Sequence, residues 1–318
     1  GNGMLLSPHI RLVAAFNHQL IFIDPNPDAS SSLAERARLF ALPRSSWADY
    51  DPRLISEGGG VFERAAKSIV LSHEIRQRFA IEAAHMTPTE LIACLLRAPV
   101  DLLWNGGIGT YVKASSESHT EVGDKANDAL RVNGAELRCR VIGEGGNLGM
   151  TQRGRVEYCL AGGRCNTDFI DNAGGVDCSD HEVNIKILLD TVVARGDLSP
   201  QDRNALLVQM TDSVAELVLR DNHRQTQAIS LLEYQAASRA QEYERFIREF
   251  EAAGRLDRAL EFIPTGEELL ERRAQGKALT RPELSVLVSY SKAALKEQLV
   301  DAEMQPDVCL SGALQQAF

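Results

Sequence analysis

The sequence predicts an α/β fold: a Rossmann-like, mostly parallel sheet with helices on both faces, followed by an all-helical C-terminal region. Three observations carry this. Apolar segments of strand length run into glycine-rich tips at residues 106–109, 143–149 and 174–175. Helix-like or connecting sequence lies between them. Past about residue 190 glycine becomes sparse, and capped segments with helical spacing take over. Alternating strands and helices imply crossover units and a parallel sheet. In such a sheet the strand C-termini share one edge, where ligands bind, so these tips and Gly1–Gly3 are expected to gather there.

The elements follow in order. "IRLVAAF" (10–16) reads as a buried strand bounded by Asn17 and His18, and "LIFID" (20–24) extends or follows it before Pro25 and Pro27 force a loop. Residues 32–42 have helical spacing. The three glycines at 58–60 supply backbone latitude rather than a phosphate site. "TPTELIACLLRA" (87–98) opens a helix with Thr87 as cap, Pro88 at the first helical position and Glu90 closing a capping box. "VDLLWNGGIGTYV" (100–112), "LRCRVIGEGGNLG" (137–149) and "YCLAGGRCNTDFIDNAGGV" (158–176) are the three apolar runs that end in glycines. In the tail, Ser199 with Pro200, Thr265 with Glu268, and Thr280 with Glu283 mark further helix starts. The expected domains are 1–190, dinucleotide-binding, and 191–318, helical. A glycine loop normally follows a strand, so the first domain is expected to lack its first strand and the chain to be a fragment.

Composition narrows the function. With 318 residues, 44% hydrophobic and 25% charged, the chain can bury a substantial core. A net charge of −10 without a dense basic stretch argues against nucleic acid as a partner. No apolar run approaches the roughly 20 residues that span a bilayer. The six cysteines, at 94, 139, 159, 165, 178 and 309, show no C-x-x-C spacing, and the histidines form no H-E-x-x-H set. No metal site is expected, and reduced thiols in a cytoplasmic protein fit better than a disulfide framework.

"GNGMLL" offers Gly1 and Gly3 to a phosphate, but Leu6 stands where the dinucleotide fingerprint has its third glycine. Asn17 ends the first strand-like run and can hydrogen-bond a ribose hydroxyl without charge. Asp24 stands at the fingerprint's spacing for an acid, but beside two prolines.

"VIGEGGNLGMTQ" and "DNAGGVDCSDHEVN" resemble the E-G-A-N and N-A-G-G-V-x-x-S pair of glutamate dehydrogenases. "FNHQLIFIDPNPD" and "LLWNGGIGTYVK" fall in order where that family has its second-strand turn and its P-A-A segment. Together with "ISEGGGVFERAAKSI" and "NLGMTQRGRVEY", they resemble the large NAD-specific bacterial members, over about residues 1 to 190 and more weakly in the tail. The resemblance implies NAD as cofactor and oxidative deamination of L-glutamate to 2-oxoglutarate and ammonium. It implies that Asn147 and Asn172 contact the nicotinamide half of the cofactor, that Gly106 and Gly107 line the same cleft, and that Val176 and Ser179 face the amino acid. Asn17 replaces the family's acidic ribose partner. The family's catalytic lysine and aspartate precede the glycine loop, so no catalytic residue is assigned here. The chain alone is expected to be inactive, and the full-length enzyme to be a cytoplasmic homo-oligomer.

The same residues have plainer readings. Ser179 and Glu182 satisfy S-x-x-E, so Ser179 is also a candidate helix cap, a role compatible with holding a carboxylate at a helix N-terminus. Glu144 reads as a general base or as an acceptor for local backbone, and Asn172 as a turn residue. Lys113 and Lys125 read as solvated surface charges. A dehydrogenase of another amino acid, such as leucine or valine, and a non-catalytic nucleotide-binding or assembly module are the rival functions.

Overall fold

The computed structural model describes residues 2–301, apart from the side chains of Asn2, Val300 and Asp301. The chain divides into two compact units, Gly1–Cys165 and Asn166–Phe318.

In the first unit, β1 (Ala14–Phe16) turns at once into β2 (Leu20–Ile23). Asn17 makes the turn, its Oδ1 accepting from the backbone nitrogens of Gln19 and Leu20, each at 2.8 Å. So short a connection allows only antiparallel pairing. After α1 (Ala29–Ala41), capped by the Asp28 carboxylate, β3 (Gly60–Glu63) joins the other edge of β2, also antiparallel. The expected strand at 10–16 is thus reduced to its last three residues, and it belongs to a meander rather than to a parallel unit. β2 is covered on both faces: Ile21 and Ile23 enter the main core, while Phe22 packs between Trp47 and Tyr50.

Next come β4 (Ile69–Val70), α2 (His73–Phe79), β5 (His85–Met86) antiparallel to β4, and α3 (Pro88–Leu96). The Thr87–Glu90 capping box forms as read. The parallel part of the unit then begins. It comprises β6 (Leu102–Asn105), β7 (Val112–Lys113), α4 (His119–Val122), β8 (Val132–Asn133), β9 (Val141–Glu144) and α5 (Gln152–Leu160). β6 pairs parallel with β9, and β7 parallel with β8. Ile75, Phe79, Leu91, Ile92, Val112, Val132, Ile142 and Tyr158 close the core beneath them.

The third apolar run is not a strand. The Thr151 hydroxyl accepts from the Gly154 nitrogen at 2.9 Å and starts α5, so Tyr158, at the start of the run, reaches the core from a helix. Lys113 also departs from expectation: it is buried, and its ammonium donates to Asn133 Oδ1 at 2.7 Å and Ala114 O at 3.0 Å.

The second unit is helical: α6 (Asp168–Asp171), α7 (Ala173–Ala194), α8 (Pro200–Gln235), α9 (Ala240–Ala252), α10 (Gly266–Ala274) and α11 (Arg281–Asp301). The cap at Ser199 and the box at Thr265 form as read, and Thr280 and Glu283 hydrogen-bond as the spacing implies. α7 and α8 form a hairpin around Gly196, at φ +82°. Gly174 and Gly175 lie inside α7 rather than at a strand end. A Cβ on Gly174 would stand 3.4 Å from Asn222 and 3.7 Å from Val218 of α8, so the glycine serves the approach of two helices. The boundary expected at residue 190 falls within α7, whose hydrogen-bonded ladder continues to Ala194. Ile247, Leu256, Ile263, Leu279 and Leu284 centre this unit's core.

Candidate functional site

The pairing of β6 with β9 sets Asn105 opposite Glu144, which brings two glycine loops to one edge. The nitrogens of Gly145 and Gly146 donate to Asn105 O at 2.8 and 3.0 Å. The loops then touch: a Cβ on Gly146 would lie 2.4 Å from Gly107 O. Gly143 is required one step earlier, where its register partner Trp104 lays its indole 2.6 Å from the missing Cβ. Gly109, at φ +130°, completes the first loop, and Thr110 Oγ1 donates to Leu148 O at 2.7 Å to tie it to the second.

Glu144 anchors the second loop from below. It is fully buried; Arg155 of α5 donates to both its carboxylate oxygens, at 2.7 and 3.0 Å, and the Met150 nitrogen donates to Oε1 at 3.1 Å. The carboxylate is an acceptor for local backbone held by a guanidinium, not a group presented to substrate.

The loops overlook a cleft of about 2350 Å³ lined by residues of the first unit, including Asn17, Trp104, Asn105, Gly106, Gly107 and Tyr111. Phe16 and Tyr111, both in its lining, pack edge to face at 5.6 Å, and burial pushes the Tyr111 phenol up. Two donors in its wall, Asn105 Nδ2 and Trp104 Nε1, are buried without a hydrogen-bond partner. A Cβ on Gly107 would meet nothing within 4 Å, so this glycine faces open space.

The expected site residues distribute as follows. Gly106, Gly107 and the loop carrying the exposed Asn147 are brought together, and Asn17 lines the same cleft, its amide oxygen already engaged in the hairpin turn. Gly3 lies in a short 3-10 turn, Asn2–Leu6, whose Met4 and Leu5 line the cleft. Gly1 lies outside the described residues. Asp24 is buried and accepts from the backbone and hydroxyl of Ser56, which commits it to the loop. In the second unit, Asn172 joins α6 to α7 and donates from Nδ2 to Asp168 O at 2.9 Å. Val176 and Ser179 are exposed on α7. The capping reading of Ser179 is corrected: the helix has begun six residues earlier, at Ala173, because nothing in "AGGVDC" interrupts it. The pattern reading passed over Asn105, whose signal was its place as the last strand residue before Gly106–Gly107. It also passed over Arg155, whose partner lies eleven positions away.

One group of side chains has metal-ligand character. Asp177 and His181 of α7 and Asp221 of α8 bring ligand atoms within 4.8 Å of one another. Ordinary neighbours also stand beside them, with His181 Nε2 3.7 Å from Asp177 and Asp221 paired with Arg220 at 3.5 Å.

A family model described as bacterial NAD-glutamate dehydrogenase, catalytic domain, matches residues 1–232, and one described as glutamate dehydrogenase, C-terminal, matches 276–318. Among curated proteins, the chain is 64% identical over its whole length to an NAD-specific glutamate dehydrogenase of Pseudomonas aeruginosa, covering 20% of that protein. It is 59% identical over its whole length to one of Halomonas elongata, again covering 20% of it. Over 313 residues, 96% of the chain, it is 54% identical to one of Mycobacterium tuberculosis, covering 19% of it. The chain therefore spans about a fifth of the length of the curated relatives it matches.

Proposed function

The chain belongs to the family of bacterial NAD-glutamate dehydrogenases, and from that premise we propose that it is the cofactor-binding part of an enzyme oxidising L-glutamate to 2-oxoglutarate and ammonium. One observation carries the assignment of NAD to the first unit. Two parallel strands end side by side at touching glycine loops over a large cleft, the edge at which α/β sheets hold nucleotides. The wall suits a dinucleotide: Gly107 leaves room for it, and Asn105 and Trp104 carry unsatisfied donors. NAD when bound accepts the hydride; the chain's own residues fix where its reactive carbon lies.

In this reading Asn147 and Asn172 hold the nicotinamide half, Asn17 donates to a ribose hydroxyl, and Gly3 and Gly106 leave room for the backbone approach. Val176 packs against the amino acid, and the Ser179 hydroxyl donates to the side-chain carboxylate of glutamate. Glu144 and Arg155 keep the second loop closed without touching the reactants. The full-length enzyme is a cytoplasmic homo-oligomer in the same reading. Among the described residues no helix is long and apolar enough to cross a membrane.

Calorimetric titration of the purified protein with NAD tests the cofactor assignment: saturable heat is expected, weakened by Gly107→Ala, and a flat titration with an intact fold overturns it. Ser179→Ala in the full-length enzyme is expected to raise KM for glutamate while leaving that for NAD in place. An unchanged KM for glutamate removes the serine from the substrate site.

A further inference from the structure

Two cysteines lie together at a place the proposed dehydrogenase chemistry does not use. Cys159 is in the last turn of α5, Cys165 follows the Gly162–Gly163 turn, and their Sγ atoms are 3.6 Å apart. The backbone between them is pinned. Gly162 takes φ +102°, the nitrogens of Ala161 and Gly163 donate to Glu157 O and Tyr158 O at 3.0 Å, and Ile142 N of β9 donates to Arg164 O at 2.9 Å. A disulfide needs sulfurs about 2 Å apart, so the remaining gap is of the size that side-chain rotation closes while the backbone stays in place.

The two sulfurs are not equivalent. Cys165 is buried and Cys159 only partly so. Hydrogen bonding to Cys159 and, after it, burial push the Cys165 thiol up, so Cys165 keeps its proton; Cys159, the partly exposed sulfur, is the one that solvent-borne reagents meet. The other thiols of the first unit have different neighbours: Cys94 lies against Met86 Sδ at 3.9 Å, and Cys139 against the Tyr158 hydroxyl at 3.6 Å.

We propose that Cys159 and Cys165 form a reversible thiol–disulfide modification site, oxidised by a hydroperoxide and restored by a small thiol. Cys159 sulfur attacks a peroxide oxygen; the O–O bond breaks, an S–O bond forms, and one water leaves. Cys165 sulfur then attacks the sulfenic sulfur. The S–S bond forms as the S–O bond breaks, and the departing hydroxide takes the Cys165 proton to become a second water. Two thiols lose two electrons and hydrogen peroxide gains them. Two equivalents of a small thiol reverse the step by exchange, becoming its own disulfide. The bond fastens the end of α5 to the segment beside β9, and Cys165 Sγ already lies 4.0 Å from Arg155 O, the backbone of the residue that grips Glu144.

The sequence makes the test direct, because trypsin cuts after Arg155 and Arg164 and so places the two cysteines on different peptides. The purified protein is treated with hydrogen peroxide, its remaining thiols are alkylated, and it is digested without reductant by trypsin and a protease that cuts before aspartate. The second cut, at Asp168, separates Cys165 from Cys178. The expected product is peptide 156–164 joined to the Cys165 peptide, ~2 Da lighter than the two reduced peptides together and lost on treatment with dithiothreitol. Cys165→Ser is expected to accumulate a dimedone-reactive sulfenic acid at Cys159 instead. Wild-type protein in which Cys159 is recovered as a free thiol, as a sulfinic or sulfonic acid, or joined only to Cys178 overturns the proposal. Because the mapping is done on the wild type, the folding of any variant does not decide it.

Discussion

Gly146 and Gly107 differ in what a methyl group would meet, and that difference separates loop geometry from ligand space. Gly146→Ala drives a Cβ toward Gly107 O, where the gap is 2.4 Å, and backbone on both sides must move. Overpacking of this kind costs about 1–3 kcal/mol, so the expected outcome is a lower urea midpoint together with weaker NAD binding. Gly107→Ala meets nothing within 4 Å and is expected to leave the midpoint unchanged while still weakening NAD. Equal effects of the two on stability would count against the open space. Glu144→Gln leaves the Arg155 guanidinium buried without its anionic partner, for which a loss of about 3 kcal/mol in denaturant unfolding is expected. A midpoint close to wild type would show that the pair does not hold the loop. The glycines were legible because strand ends and loop tips leave a local signature. Asn105 and Arg155 were not, since an orphaned amide and a partner on the next helix exist only once β6, β9 and α5 are in register.

Helix caps show which elements a local pattern can find. Thr87, Ser199 and Thr265 each satisfy the start signature and each accept from the third residue on. Ser179 satisfies it too and caps nothing, because the signature says nothing about whether the preceding residues already continue the helix. Thr87→Ala is expected to cost about 1 kcal/mol. Ser179→Ala, exposed inside α7, is expected to be neutral or to stabilise by up to ~0.5 kcal/mol through helix propensity. Thermal melts of the two variants distinguish cap from interior. α11 offers a pH test. The Tyr290 hydroxyl donates to Glu261 Oε1 at 2.8 Å, and this bond, reinforced by burial, pushes the phenol up to about 12. The folded form therefore binds this proton more tightly than the unfolded one. The contribution is whole below the ordinary phenol value of about 10 and is lost as pH rises through about 12. Tyr290→Phe is expected to lower the pH of alkaline unfolding; an unchanged transition would remove the tie from the account.

The whole molecule follows its two units more than its glycine content. Parallel pairing of β6 with β9 was readable from recurring apolar runs that end in glycine. The antiparallel β1–β3 meander was not, because Asn17 acts there through a side-chain hydrogen bond rather than through turn composition. The fall in glycine near residue 190 lies inside α7, whereas the compact units part at Cys165 and Asn166. A chain ending after Asp190 carries most of α7 without α8, the helix it packs against, so proteases are expected to trim it back toward residue 165. Survival of an intact 1–190 species under limited trypsin would argue that α7 is held by the first unit. Lys113, finally, gives the fold a chemical gauge. Its amine is enclosed where β7 and β8 pair, with both nearby oxygens accepting from it. An acylating reagent can reach it only through an opening of that pair, so its labelling rate, set against that of exposed lysines, clocks how often the heart of the first unit breathes.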